Sequence, residues 1–323
     1  MRSQFWLRER QALTVWPALL LLFIVGAFVS QAFLTTSNLL NVLQQASSLA
    51  VLTLGMALVL LAGNFDLSIE STTAFAPMIG ASLIVAAPFG FGLGLNPWIG
   101  LIVTLVIGGL IGAFNGFLVT RFRLNSFILS LAMLIFLRGA TLGVSGGQTV
   151  YSPPPEFTFL GSAKLGPLPV SIIFAAVLTI LVAVFLNHHR VGRAIYAIGA
   201  NPHAARAAGI KVDRIVLCTF ITAGIFAAIA GIITSGRIDS VVANQGTNEA
   251  LSVMAALAIG AFSLNGGRGT IFGAITGVLF LAFVANVLTL ANVPSYWVDA
   301  SRGAIIVIAL LLTRYTNRDI GQD

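Results

Sequence analysis

Two stretches of this chain, residues 14–34 and 98–120, contain no Asp, Glu, Lys or Arg. A helix needs roughly 20 apolar residues to cross the hydrocarbon layer of a bilayer. Uncharged runs of this length do not fit a water-soluble core, so they point to a membrane protein. Composition agrees: 58% of the 323 residues are hydrophobic and 8% are charged, against about 25% charged in soluble domains. The first run follows Arg2, Arg8 and Arg10, as a secretion signal would. It is longer than a signal's apolar core and no small-residue cleavage site follows it, so it reads as a retained first helix.

About ten helices are expected, near residues 14–34, 42–62, 72–88, 98–120, 126–145, 169–187, 215–236, 251–264, 271–291 and 297–314. The third and eighth are short and interrupted by Gly or Pro, which reads as broken or re-entrant. The expected class is an all-α polytopic membrane protein, with one transmembrane domain over residues 1–323. With the N-terminus in the cytoplasm, Arg121, Arg123, the Arg-rich 188–214 loop, Arg268 and the basic tail fall inside. Lys164 and Arg237 fall outside. That asymmetry follows the positive-inside rule, and an even helix count keeps both termini cytoplasmic. The net charge of +7 then sets orientation and calls for no nucleic acid. The loop 63–71 departs from the pattern, with Asp66 and Glu70 and no base.

Internal similarity suggests a duplication. GAFNG at 112–116 resembles GAITG at 273–277, and Leu67-Ser68-Ile69 echoes Leu251-Ser252-Val253. The matching helices run in opposite directions, so residues 1–168 and 169–323 read as an inverted repeat, a common transporter plan.

Several chemistries are absent. The two lysines, Lys164 and Lys211, lie outside any GxxxxGK[ST] phosphate loop, and HExxH does not occur. The single cysteine, Cys218, leaves no disulfide within the chain and no thiolate metal site. No cofactor or metal is expected, and the chain reads as a non-enzyme: any ATP hydrolysis belongs to another subunit.

The loop HHRVGRAIYAIGANPHAARAAGIKVDR, 188–214, is the longest cytoplasmic segment. Asn201 can cap a helix and Pro202 suits its first position. Ala204, Ala205, Ala207 and Ala208 favour helix, and Gly209 can end it. A two-turn helix with small side chains could lie in a groove of a cytoplasmic partner. A charged connector that only orients the protein would satisfy the same composition.

HAARAAG at 203–209 resembles the EAAxxxG coupling motif of binding-protein-dependent ABC importer permeases, with His203 in place of Glu. The surrounding segment is similar to the loop of the ribose-type sugar permeases. AGNFDLSIES at 62–71 resembles that family's GxIDLSxGS, and NGGRGTIFGAITG at 265–277 resembles its later Gly-rich segment. The resemblance covers residues 30 to 314. It implies a permease subunit in the bacterial inner membrane that passes a monosaccharide or related polyol. It also implies cytoplasmic ATPase subunits, a periplasmic sugar-binding protein, and a second permease copy or a paralogue. Gly199, Asn201, His203, Ala204, Ala205 and Gly209 would then couple the chain to the ATPase. Three departures stand out. His203 removes the motif's acid, Asn64-Phe65 replace Gly-Ile, and Glu70 replaces Gly.

Polar residues in apolar surroundings complete the candidates. Arg138 sits inside the fifth run with no acid within a helical turn, so it needs a partner or water. Asp299 and Arg302 can pair on one helix face. These three serve either a gate or helix packing. Asp66, at the membrane edge, suits capping of the next helix, with a gate at the cytoplasmic mouth as the second reading. The amides Gln44, Gln45, Asn115 and Asn286 suit a hydroxylated solute on the pathway, and equally suit helix contacts. An ion-coupled secondary transporter is the rival class. It needs a mid-membrane acid, whereas Asp66, Glu70, Glu249 and Asp299 all fall near expected span ends.

Overall fold

The structure, a computed structural model, describes residues 15–86, 91–298, 300–301, 303–305 and 307. Six helices are long and apolar enough to cross a bilayer: α2 (Thr36–Leu61), α4 (Pro97–Phe122), α5 (Ser126–Ser145), α7 (Val170–His188), α10 (Val212–Ile238) and α12 (Ile271–Leu290). Three more lie at expected spans but are shorter: α1 (Val15–Val29), α3 (Ile69–Ile84) and α11 (Glu249–Ile259). Short helices α6 (Pro155–Ser162), α8 (Arg190–Ala200) and α9 (Pro202–Ala207) sit between spans. The last expected span, 297–314, lies largely outside the described residues, as do Asp299 and Arg302.

Side chains at the starts of the helices fix their boundaries. Asn125 accepts from the amides of Phe127 and Ile128 at the start of α5, and Thr270 accepts from Gly273 at the start of α12. Asn96 caps α4, with Pro97 at its first position. Each cap satisfies an amide that the helix itself leaves unpaired. Two small ladders close one end of the molecule. β1 (Val150–Tyr151) pairs antiparallel with β4 (Ser240–Val241), and β2 (Lys164–Leu165) pairs with β3 (Leu168–Pro169). This is the ladder end; the opposite end, where α8 and α9 lie, is the loop end.

The core forms around α10, which runs from the loop end to the ladder end and packs on α2, α3, α4 and α6. Leu52, Leu54, Met56, Leu60 and Phe220 are fully buried there. The outer helices show apolar side chains instead: Ile128, Ile135 and Phe136 on α5, and Ile180, Leu181 and Val184 on α7. An apolar exterior on this scale suits lipid and not water. The most extensive helix contact joins α4 and α10. Gly108, Gly112 and Gly116 recur every fourth residue on α4. A Cβ at Gly112 would overlap the Phe220 carbonyl oxygen, and one at Gly224 would overlap that of Gly108. Small residues at this spacing let two backbones touch inside a membrane.

The third and eighth runs form short helices, α3 and α11, each continuous over its length. Residues 62–68 run without helix before α3 begins at Ile69, and Pro77 lies inside α3. Proline has no amide to offer the carbonyl four residues earlier, which is that of Thr73. Gln245 repairs the gap: its Nε2 donates to the Thr73 carbonyl at 2.8 Å and to the Gly231 carbonyl at 2.9 Å. Ser235 Oγ donates to Gln245 Oε1 at 3.1 Å. Gln245→Leu would strand the buried Thr73 carbonyl, so a loss of about 1–3 kcal/mol is expected. Thermal unfolding in detergent measures it, and an unchanged midpoint would count against the repair role.

Candidate functional site

The 188–214 loop carries two helices where the sequence reading placed one. α9 matches that reading: Asn201 Oδ1 accepts from the amides of His203 and Ala204, both at 3.0 Å, and Gly209 follows at φ +80°. His203, Ala204, Ala207 and Ala208 are exposed, while Ala205 is buried as the anchor. α8 was missed. Its signal was present, since Val191, Ile195 and Ile198 recur at helical spacing, and Ile195 and Ile198 are buried. Gly199, grouped by the motif with the outward coupling residues, turns inward against the Leu61 carbonyl. Asp213 links α9 to the end of α4 through Arg206 and Arg123, each at 3.1 Å. Exposed pairs of this kind contribute at most about 1 kcal/mol.

Arg138 finds its acid on another helix. Its Nη2 donates to Glu70 Oε1 of α3 at 3.0 Å, and its Nη1 donates to the Gln245 carbonyl at 3.1 Å. Glu70 Oε2 accepts from the Ala250 amide at 3.2 Å, in the first turn of α11. One carboxylate therefore holds an arginine and a helix start, where the positive end of the helix dipole favours an anion. Arg138 lies twelve residues into α5, or about 18 Å along the helix. The expectation that Glu70 lies near a span end is corrected here. Because residues 62–68 run without helix after α2, the first turn of α3 falls inside the protein, and Glu70 is 7% exposed. α3 and α11 start side by side at this carboxylate and run to opposite ends, α3 to the ladder end and α11 to the loop end.

Asp66 is also deep, at 1% exposed. Its Oδ1 accepts from the Ser68 amide at 3.1 Å and the Ser68 hydroxyl at 2.5 Å. This is an Asx turn that leads into α3, whose N-cap residue, Ser68, makes no side-chain cap bond. Asn115 donates to Ser68 Oγ at 2.8 Å and is fully buried. Asn286 and Asn38 exchange two bonds, at 3.0 and 2.9 Å, between α12 and α2. Gln45 is exposed on the outside of α2. Asn115 and Asn286 thus make helix-to-helix contacts. Gln44 is the amide at an opening: it donates to the Gly161 carbonyl at 2.9 Å and borders a cavity of about 640 Å³ at the ladder end. Lys164, Arg237, Asp239 and Pro153 to Pro155 border the same cavity. Its volume is in the range of small-molecule sites.

The model of the family described as branched-chain amino acid transport system / permease component matches residues 38–310. The chain belongs to this family. It is similar to the ribose import permease protein RbsC of Escherichia coli (strain K12), 34% identical over 314 residues, covering 96% of this chain and 95% of the relative. It is 29% identical to the D-allose transport system permease protein AlsC of the same strain, over 91% of this chain and 89% of that one. It is 31% identical to the autoinducer 2 import system permease protein LsrC of Shigella flexneri, over 94% and 87%. No solved structure matches significantly. The resemblance drawn from the three motifs is thereby confirmed, and this permease is a multi-pass membrane protein of an ABC importer.

Proposed function

We propose that this permease forms the transmembrane half of a binding-protein-dependent importer in the bacterial inner membrane, and passes a monosaccharide or related polyol. Two cytoplasmic ATPases would grip α9 of two permease copies, or of one copy and a paralogue. A periplasmic binding protein would deliver the solute at the ladder end, where the cavity opens. The observation that carries this reading is α9: a capped two-turn helix with an exposed face of His203 and alanines, on a chain alike over nearly its whole length to sugar import permeases. The basic 188–214 loop supports a cytoplasmic loop end with both termini inside. Neutral solutes also fit Glu70 and Arg138, which neutralise each other. Asp66 and Arg138 then serve packing beside the pathway. The inverted halves 1–168 and 169–323 gain support from α3 and α11, two short helices that start together and run apart.

Gly209→Asp tests the coupling reading. Gly209 sits at φ +80°, where a side chain is strained, and the new carboxylate lies at the end of α9. Wild type is expected to co-purify an ATPase from detergent and the variant to lose it. If wild type brings down none, ion-coupled transport becomes the reading to test.

A further inference from the structure

At the loop end three backbones meet with no side chain between them. The end of α2 arrives through Leu61 and Gly63, the end of α8 through Gly199 and Ala200, and the turn between α11 and α12 through Gly266 and Gly267. The Gly267 amide donates to the Leu61 carbonyl at 3.0 Å. A Cβ at Gly199 would overlap that same carbonyl oxygen and the Gly267 nitrogen. A Cβ at Gly267 would stand 2.6 Å from the Ala200 nitrogen, and one at Gly266 2.6 Å from the Gly63 Cα. Gly63, Gly266 and Gly267 hold φ of +78°, +83° and +70°, which glycine adopts without strain. Tyr196, on α8, adds one side-chain tie, donating from its hydroxyl to the Gly269 carbonyl at 3.0 Å.

We propose that Gly199 is a positioning residue, the joint through which displacement of α8 and α9 reaches the membrane helices. The proposal rests on the coupling reading of α9. Flexible side chains absorb small shifts by changing rotamer; peptide planes in direct contact do not. α9 otherwise meets the membrane helices through side chains, the exposed Arg206 with Asp213 at the start of α10 and the buried Ala205. A push on α9 therefore passes along α8 to Gly199. There it moves α2, the most buried of the six long helices, together with the turn that ends α11. The joint binds no partner itself, so disturbing it separates ATPase docking from transport.

The test compares wild type, Gly199→Ala and Tyr196→Phe, reconstituted in vesicles with the co-purified ATPase and a binding protein. Three quantities are read: ATPase recovered, ATP hydrolysed, and solute imported per ATP. Gly199→Ala is expected to recover ATPase within about twofold of wild type, and to import at least about tenfold less per ATP. Tyr196→Phe, which leaves the backbone contacts in place, is expected to lower import per ATP by about threefold with full recovery. If Gly199→Ala fails to fold, Tyr196→Phe decides. Wild-type import per ATP in both variants overturns the joint. So does loss of the ATPase from Gly199→Ala, which would make Gly199 part of the docking surface. If wild type itself recovers no ATPase, the importer reading falls first and the joint falls with it.

Discussion

Arg138→Ala is expected to cost this permease about 3–5 kcal/mol, because it leaves the Glu70 carboxylate buried with its charge uncompensated. Glu70→Ala is expected to cost a similar amount, since it strands both Arg138 and the first turn of α11. The two side chains are 19% and 10% exposed, so water offers little screening. The double replacement removes both charges at once. It should cost less than the sum of the single changes by about 2 kcal/mol. Thermal or denaturant unfolding of the four proteins in one detergent reads that difference. Strict additivity would show that the 3.0 Å contact contributes no coupling, and that each residue acts through its other partner.

Gly112→Val is the second large effect. The added atoms overlap the Phe220 carbonyl oxygen and approach within 2.9 Å of the Ile221 Cα. Neither is a flexible side-chain end, so α4 and α10 must part along their length. Overpacking of this sort costs about 3 kcal/mol or more. No monodisperse protein should elute from a sizing column. Gly109→Ala is the control three residues away. Its new Cβ would lie 3.4 Å from a side-chain carbon of Ile225, an ordinary contact, and alanine is the better helix former by about 1 kcal/mol. It should match or exceed wild type. Equal damage from both changes would mean that any side chain on this stretch is harmful, and that the glycine ridge is not the cause.

Much of the architecture was legible because lipid is a strict solvent. Uncharged runs, asparagine caps and the Asn201-Pro202 start of α9 all carry local signals, and the short third and eighth helices could be read from their Gly and Pro. Partners across the fold were not legible. Arg138 demanded an acid, but nothing in its own helix points to Glu70, 68 residues away. Glu70 looked shallow because the length of a short helix does not reveal where it begins. The ridge at Gly108, Gly112 and Gly116 shows as a period of four, but the spacing does not name α10 as the helix that it meets. α8 was overlooked because its apolar residues sit among arginines and histidines that suggest a solvated connector. Among the amides, the residue type suited a pathway and a packing contact equally, and only geometry separated Gln44 at the cavity from Asn115 in the interior.

The dependence of α3 on distant residues bears on the order in which the chain is made. The Thr73 carbonyl receives its donor from Gln245, 172 residues later, and Glu70 receives the Ala250 amide 180 residues later. In hydrocarbon an unsatisfied carbonyl costs several kcal/mol. Until residues 245–250 leave the ribosome, the first turns of α3 cannot settle among lipids. A nascent chain of 200 residues must therefore keep this segment beside water or inside the insertion machinery. The first half of this protein waits for the second before it can be left in the bilayer.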